Sequence, residues 1–100
     1  MDFEYELSDE IEITFPKRYK VIMLNDDYTS MDFVVDVLMT IFHKSNEEAN
    51  NIMLNIHTKG QGVCGIYPYE IAETKVMQVT KRAKESGFPL KVIMEEETND

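Results

Sequence analysis

LNDDYTSMDFV, residues 24–34, joins two apolar runs of different kind. Before it, VIML (21–24) reads as a buried strand, and after it FVVDVLMTIF (33–42) reads as a helix. Asn25, Asp26 and Asp27 therefore fall at a strand-to-helix turn, where backbone is irregular and side chains can converge on a ligand. Thr29 and Asp32 have the spacing of a capping box, with the Thr29 hydroxyl expected to satisfy an orphan N–H at the helix start. Three polar acceptors beside apolar Met31 and Val34 suit a ligand with a cationic head and an apolar body. The same residues also read as an ordinary Asx-rich turn.

Working outward, Tyr19 to Leu24 is expected to be the first strand and 30–42 the first helix. That helix is apolar on most of its circumference and is expected to be deeply buried. Ser45 and Glu48 form a second capping box. Ala49, Ile52, Met53 and Ile56 then follow at i, i+3, i+4 and i+7, one face of a second helix, with Gly60 and Gly62 ending it. Val63 to Tyr67 reads as a strand, and Pro68 suits the first turn of a third helix. Ala72, Val76, Val79 and Ala83 share a stripe of that helix, Gly87 and Pro89 stop it, and Leu90 to Met94 is the last strand. The order is β-α-α-β-α-β. Three strands cannot cover two helical layers, so an α+β fold is expected, a small sheet with the helices packed on one face.

One hundred residues, 43% of them hydrophobic, make one domain with a modest core. The single cysteine, Cys64, lies in an apolar strand-like run and reads as a small core residue. It rules out an internal disulfide and permits a reducing compartment. No apolar run approaches ~20 residues, so no transmembrane helix is expected. No basic-then-apolar leader is visible at the N-terminus, which makes the cytoplasm the expected location. The net charge of −9 is carried by the ends: residues 1–16 hold six acidic and no basic residues, and 95–100 hold four acidic and none basic. Nine acidic residues face all ten basic ones in 17–94. Acidic ends and the lack of a basic stripe disfavour nucleic acid. Residues 1–16 alternate acidic and apolar side chains up to Pro16 and read as an extended, mobile arm.

Three stretches, YKVIMLNDDYTSMDFVVDVL, MLNIHTKGQGVCGIYPYEIAETKV and GFPLKVIMEE, closely resemble the ClpS family. The resemblance runs from about Tyr19 to Glu95. NDDYT, the context of His57, the Cys64-Gly65 pair and AETKV (72–76) all occur in family order. It implies a three-stranded antiparallel sheet with three helices, and a division into an acidic N-terminal extension (1–18), a core domain (19–95) and an acidic tail (96–100). It also implies an adaptor without catalysis, cofactor or metal. Such adaptors serve the AAA+ unfoldase ClpA, through its N-terminal domain, and its peptidase ClpP. Their cargo is proteins whose first residue is bulky and hydrophobic, the N-end rule signal. No nucleic acid or membrane is implied as a partner, and the chain is expected to be a monomer. Family members use the N-terminal extension in handing over cargo.

Matched residue by residue, Asn25, Asp26, Asp27 and His57 fall on the positions that bind the substrate α-amine, with Asp27 the favoured acidic contact. Thr29, Met31, Val34, Met53, Ile56 and Leu90 fall on the apolar pocket. The methionine at the position of Met31 acts in the family as a gate against β-branched residues, leaving Leu, Phe, Tyr and Trp as accepted first residues. Glu70, Glu73, Thr74 and Lys75 resemble the region that touches the unfoldase. Pro68-Tyr69 stand where many relatives have small or polar residues, and Ser30 where relatives often have Pro.

The chemistry of these residue types suits that assignment. An α-ammonium carries three N–H donors and, with a pKa of about 7.7–8.0, is mostly charged at pH 7. It is matched by an amide oxygen, a carboxylate and a neutral imidazole, whereas an internal or acetylated amide offers one donor and no charge. Taken singly, His57 also reads as a surface or capping residue, the apolar set as plain core, and the charged helix face as solvated. An enzyme using Asp26, Asp27 and His57 as acid, base or metal ligands is a competing reading. Against it, there is no HxH or HExxH spacing, the only other histidine is His43, and no Ser or Cys sits in a nucleophile elbow. A third reading is a scaffold like the C-terminal domain of the ribosomal stalk protein, which the ClpS fold resembles; it leaves the Asn-Asp-Asp and His57 set without purpose.

Overall fold

The computed structural model describes residues 15–98. The chain forms β1 (Arg18–Leu24), α1 (Met31–Thr40), α2 (Asn46–Lys59), β2 (Gln61–Pro68), α3 (Tyr69–Glu85) and β3 (Lys91–Glu96). The order is β-α-α-β-α-β, as the periodicity requires. β1 lies between β2 and β3, antiparallel to both. Arg18 extends the central strand by one residue, and Glu96 the edge strand β3 by two, beyond the expected bounds. Arg18 pairs with Glu97 at 2.6 Å and Lys17 with Glu96 at 3.7 Å, which closes this end of the sheet. The expected arm lies outside the described residues, apart from its last residues from Phe15 onward.

Alternation along β1 sends Tyr19, Val21 and Met23 to one face and Lys20, Ile22 and Leu24 to the other. The first face meets the helices: Val21 and Met23 share one buried cluster with Val37 and Leu38 of α1, Ala49 and Ile56 of α2, and Ala72, Val79 and Ala83 of α3. The second face carries Ile22 between Val63 and Ile93. The pairing of β1 with β2 slips between Val21 and Ile22: Val21 faces Gly65 and Ile22 faces Val63. Cys64 is the extra residue of this bulge, and its side chain is buried in the core. Burial pushes its thiol up to about 12, so it stays protonated and inert at neutral pH.

Two expectations about α1 need correction. Its N-cap is Ser30, whose hydroxyl accepts from the Phe33 amide at 3.1 Å; Thr29 does not cap it. The Thr29 hydroxyl instead donates to the Asp26 carboxylate at 2.7 Å, a charge-assisted bond that outcompetes a neutral cap. Nor is the helix buried all round. Only Val34, Val37 and Leu38 are buried, while Met31 and Met39 are exposed, because a single helical layer on a three-stranded sheet leaves its outer side in water. The capping box at α2 is formed in full, with the Glu48 amide donating to Ser45 Oγ at 3.1 Å and the Ser45 amide to Glu48 Oε1 at 3.0 Å. Gly60 ends α2 at φ 90°, a left-handed conformation suited to glycine. Gly62 is not part of that ending; it lies inside β2.

Candidate functional site

The turn after β1 is held in shape by its own side chains. Asp26 Oδ1 accepts from the Tyr28 amide at 2.8 Å and the Thr29 amide at 2.7 Å, while Oδ2 accepts from the Thr29 hydroxyl. Partial burial works upward on this carboxyl, but the Thr29 hydroxyl and the two amides outweigh it and hold the group below its ordinary value. Asp26 is thus ionised and already engaged. Asp27 is exposed, and its carboxylate has no hydrogen-bond partner among the described residues. The Asn25 amide donates to the Gly60 carbonyl at 2.9 Å, which fastens the turn to the end of α2. That single bond brings Met53, Ile56 and His57, spaced i, i+3 and i+4 on α2, opposite Met31 and Val34 of α1.

The result is a pocket of about 230 Å³ lined by Asn25, Asp26, Asp27, Thr29, Met31, Val34, Met53, Ile56 and His57. It gathers nine of the ten amine-site and pocket residues named from the sequence. The tenth, Leu90, is buried and borders an adjoining crevice of about 20 Å³ that shares Asn25, Asp26, Thr29, Val34 and Ile56 with the main pocket. The space is smaller than the about 300–1,000 Å³ of ordinary small-molecule sites and is scaled to a side chain. Met31, 47% exposed, stands at its rim. Among the described residues, no group of three or more His, Cys, Asp or Glu could hold a metal ion.

One wall depends on a residue that pattern reading used otherwise. A Cβ at Gly62 would come within 2.8 Å of Ile56 Cγ1, so glycine there lets Ile56 lean against β2 and shape the pocket floor. The glycine is plain in the sequence; its role needed the pairing of α2 with β2.

The set on α3 is divided. Glu70, Glu73 and Thr74 are exposed on the first turns. Lys75 is half-buried and turned inward: its Nζ donates to the Ile41 carbonyl at 2.6 Å and lies 5.8 Å from the centroid of the Tyr67 ring. It straps α3 to the end of α1.

Fold and site together define a small α+β domain with a pocket, part apolar and part polar, between a strand–helix turn and a neighbouring helix. Residues 14–93 match the family model described as ATP-dependent Clp protease adaptor protein ClpS. An ATP-dependent Clp protease adapter protein ClpS from Wolinella succinogenes is 62% identical over 95 residues, covering 95% of this chain and 93% of that protein. One from Acetivibrio thermocellus is 54% identical over 87 residues, covering 87% of this chain and 88% of that protein. The solved structure of Agrobacterium tumefaciens ClpS2 bound to L-phenylalaninamide superposes with a TM-score of 0.80 at 42% identity, over 83% of this chain and all of that one. The chain belongs to the ClpS family of Clp protease adaptors. It is an adaptor and not an enzyme. No described helix is long and apolar enough to cross a membrane.

Proposed function

We propose that the pocket binds the free α-amino group and the bulky hydrophobic first residue of substrate proteins, which this adaptor then delivers to a ClpA-type AAA+ unfoldase and the ClpP peptidase in the cytoplasm. The observation that carries this is the convergence of Asn25, Asp27 and His57 with an apolar lining in a space sized for one side chain. Asp26, engaged by Thr29 and Tyr28, shapes the turn, and Asp27 supplies the carboxylate to the ammonium. L-Phenylalaninamide, seen bound to the Agrobacterium relative, has this chemistry: an aromatic side chain beside a free amine. Each charge-assisted bond contributes about 1.5–3 kcal/mol. Burying a Leu or Phe side chain adds roughly 1.5–3 kcal/mol. After association costs, affinities on the order of micromolar follow.

Met31 at the rim crowds a branch at Cβ and so favours Leu, Phe, Tyr and Trp. The exposed face of Glu70, Glu73 and Thr74 meets the N-terminal domain of the unfoldase, with Lys75 holding that helix in place. The adaptor acts as a monomer, its core domain supplying the pocket and its acidic extension taking part in handover. Fluorescence anisotropy of labelled peptides differing only in their first residue tests the pocket. Tight binding of Leu, Phe, Tyr and Trp over Ser, Ile and Val is expected; an order insensitive to the first residue contradicts it.

A further inference from the structure

A second, larger cavity of about 380 Å³ opens at the other end of α1, between that helix and α3, with His43, Lys75, Lys81 and Arg82 in its wall and Glu85 as its one acidic residue. Two of its cations are held from below. Lys75 is braced on the Ile41 carbonyl, and Arg82 donates to the Thr40 hydroxyl and pairs with Asp36 at 3.6 Å. Bracing fixes where these charges sit and gives the cleft a defined basic wall. The ends of the chain are strongly acidic, and residues 1–14 hold six acidic and no basic residues.

We propose that this basic cleft between α1 and α3 is the docking site of the chain's own acidic N-terminal segment, within residues 2–12. Charge complementarity supports it, and so does reach. The edge-on contact of Tyr19 with Tyr69, ring centroids 5.2 Å apart, sets the start of β1 beside the start of α3. Arg82 lies 13 residues further along α3, about 20 Å at the helical rise. Fourteen extended residues span up to about 46–50 Å, so the acidic run covers the distance with slack. Tethering to the same molecule gives the segment an effective concentration of about millimolar, enough for pairs that are weak singly. A free polyanion such as nucleic acid is a poorer occupant, since it meets the −9 net charge of the whole chain and competes with an acidic segment tethered to the same molecule. The inference does not depend on the function proposed above. If Lys75 also lies under the unfoldase contact, a docked segment and the unfoldase exclude one another there.

A spin label tests this in the full chain. Cys64 is buried and its thiol protonated, so Ser8→Cys supplies the one reactive thiol. Paramagnetic broadening of amide signals is then read in low salt, and again at about 1 M, where the Debye length falls to about 3 Å. Broadening concentrated on 40–44 and 75–85 in low salt, lost at high salt and lost in the Lys81→Glu, Arg82→Glu variant, is the expected result. Broadening spread evenly over the domain, centred on the pocket at 25–31 and 53–57, centred on the open sheet face, or unchanged by salt and by the charge reversal overturns the proposal. Lys81 is exposed and Arg82 half-exposed, and the dispersion of the amide spectrum reports that the domain of each variant is folded.

Discussion

The two ends of α1 are opposite in charge and were built by opposite means. At its N-terminus stand Asp26, Asp27 and Asp32, at its C-terminus Lys75 and Arg82, an arrangement that complements the helix dipole at both ends. The N-terminal end is shaped mostly by bonds between near neighbours: Asp26 to Tyr28 and Thr29, and Ser30 to Phe33. The C-terminal end is tied by bonds spanning 34 and 42 residues, Lys75 to Ile41 and Arg82 to Thr40. A locally built end keeps its form on its own side chains and leaves Asp27 available to a ligand. The end built at long range uses its charges to hold two helices together.

Breaking the helix that joins the two ends has the largest expected effect. Leu38 is fully buried between them, and Leu38→Ala is expected to destabilise the fold by about 2–5 kcal/mol. Urea unfolding measures it, and an unchanged midpoint would place the core elsewhere.

A crossed pair of substitutions separates the ends. Asp27→Ala should weaken binding of a free-amine peptide by about 10–100-fold, the loss of one charge-assisted bond, with little change in unfolding. Lys75→Met should do the reverse, lowering stability by about 1 kcal/mol while peptide affinity holds. If both variants lose affinity alike, the ends are not independent.

A smaller effect sharpens the role of Asp26. Asp26→Ala removes three hydrogen bonds, worth about 1–2 kcal/mol together once solvent screening of a partly exposed group is discounted. The sign with pH follows from linkage. The folded carboxyl titrates below its ordinary 3.8, so its stabilisation is fully present above that value. It is lost as pH falls through the lower folded value. The stability gap between wild type and Asp26→Ala should therefore be constant from pH 7 to 5 and close only in acid below 3.8. A gap that closes near neutrality would assign the bonds to another group. Smallest in energy is Met31→Ala, which should admit Ile and Val first residues while Leu still binds; continued rejection of Ile would remove Met31 from the gate.

The same contrast explains what was legible in the sequence. Period and caps place every helix and strand, and the Ser45–Glu48 box forms as its spacing requires, because these signals act within one turn of chain. Nine pocket residues meet in one cavity, but composition and spacing alone left each with an ordinary alternative, and only the resemblance to ClpS joined them into one site. Thr29 was misread as a cap because a hydroxyl beside a helix start cannot reveal that its hydrogen bond goes to Asp26 instead. The inward turn of Lys75 and the bulge at Cys64 depend on partners 34 or more residues away, and the close approach of Gly62 to Ile56 on how β2 folds back against α2. No local pattern carries that information.

The central claim is that the pocket reads a charged chain end together with its first side chain. The most direct measurement is calorimetric titration of the full chain with one short peptide beginning with Phe, free and N-acetylated. Binding on the order of micromolar by the free peptide is expected, with the acetylated form, which has lost the charge and two of three donors, at least about 100-fold weaker. Equal affinity for the two would contradict the account.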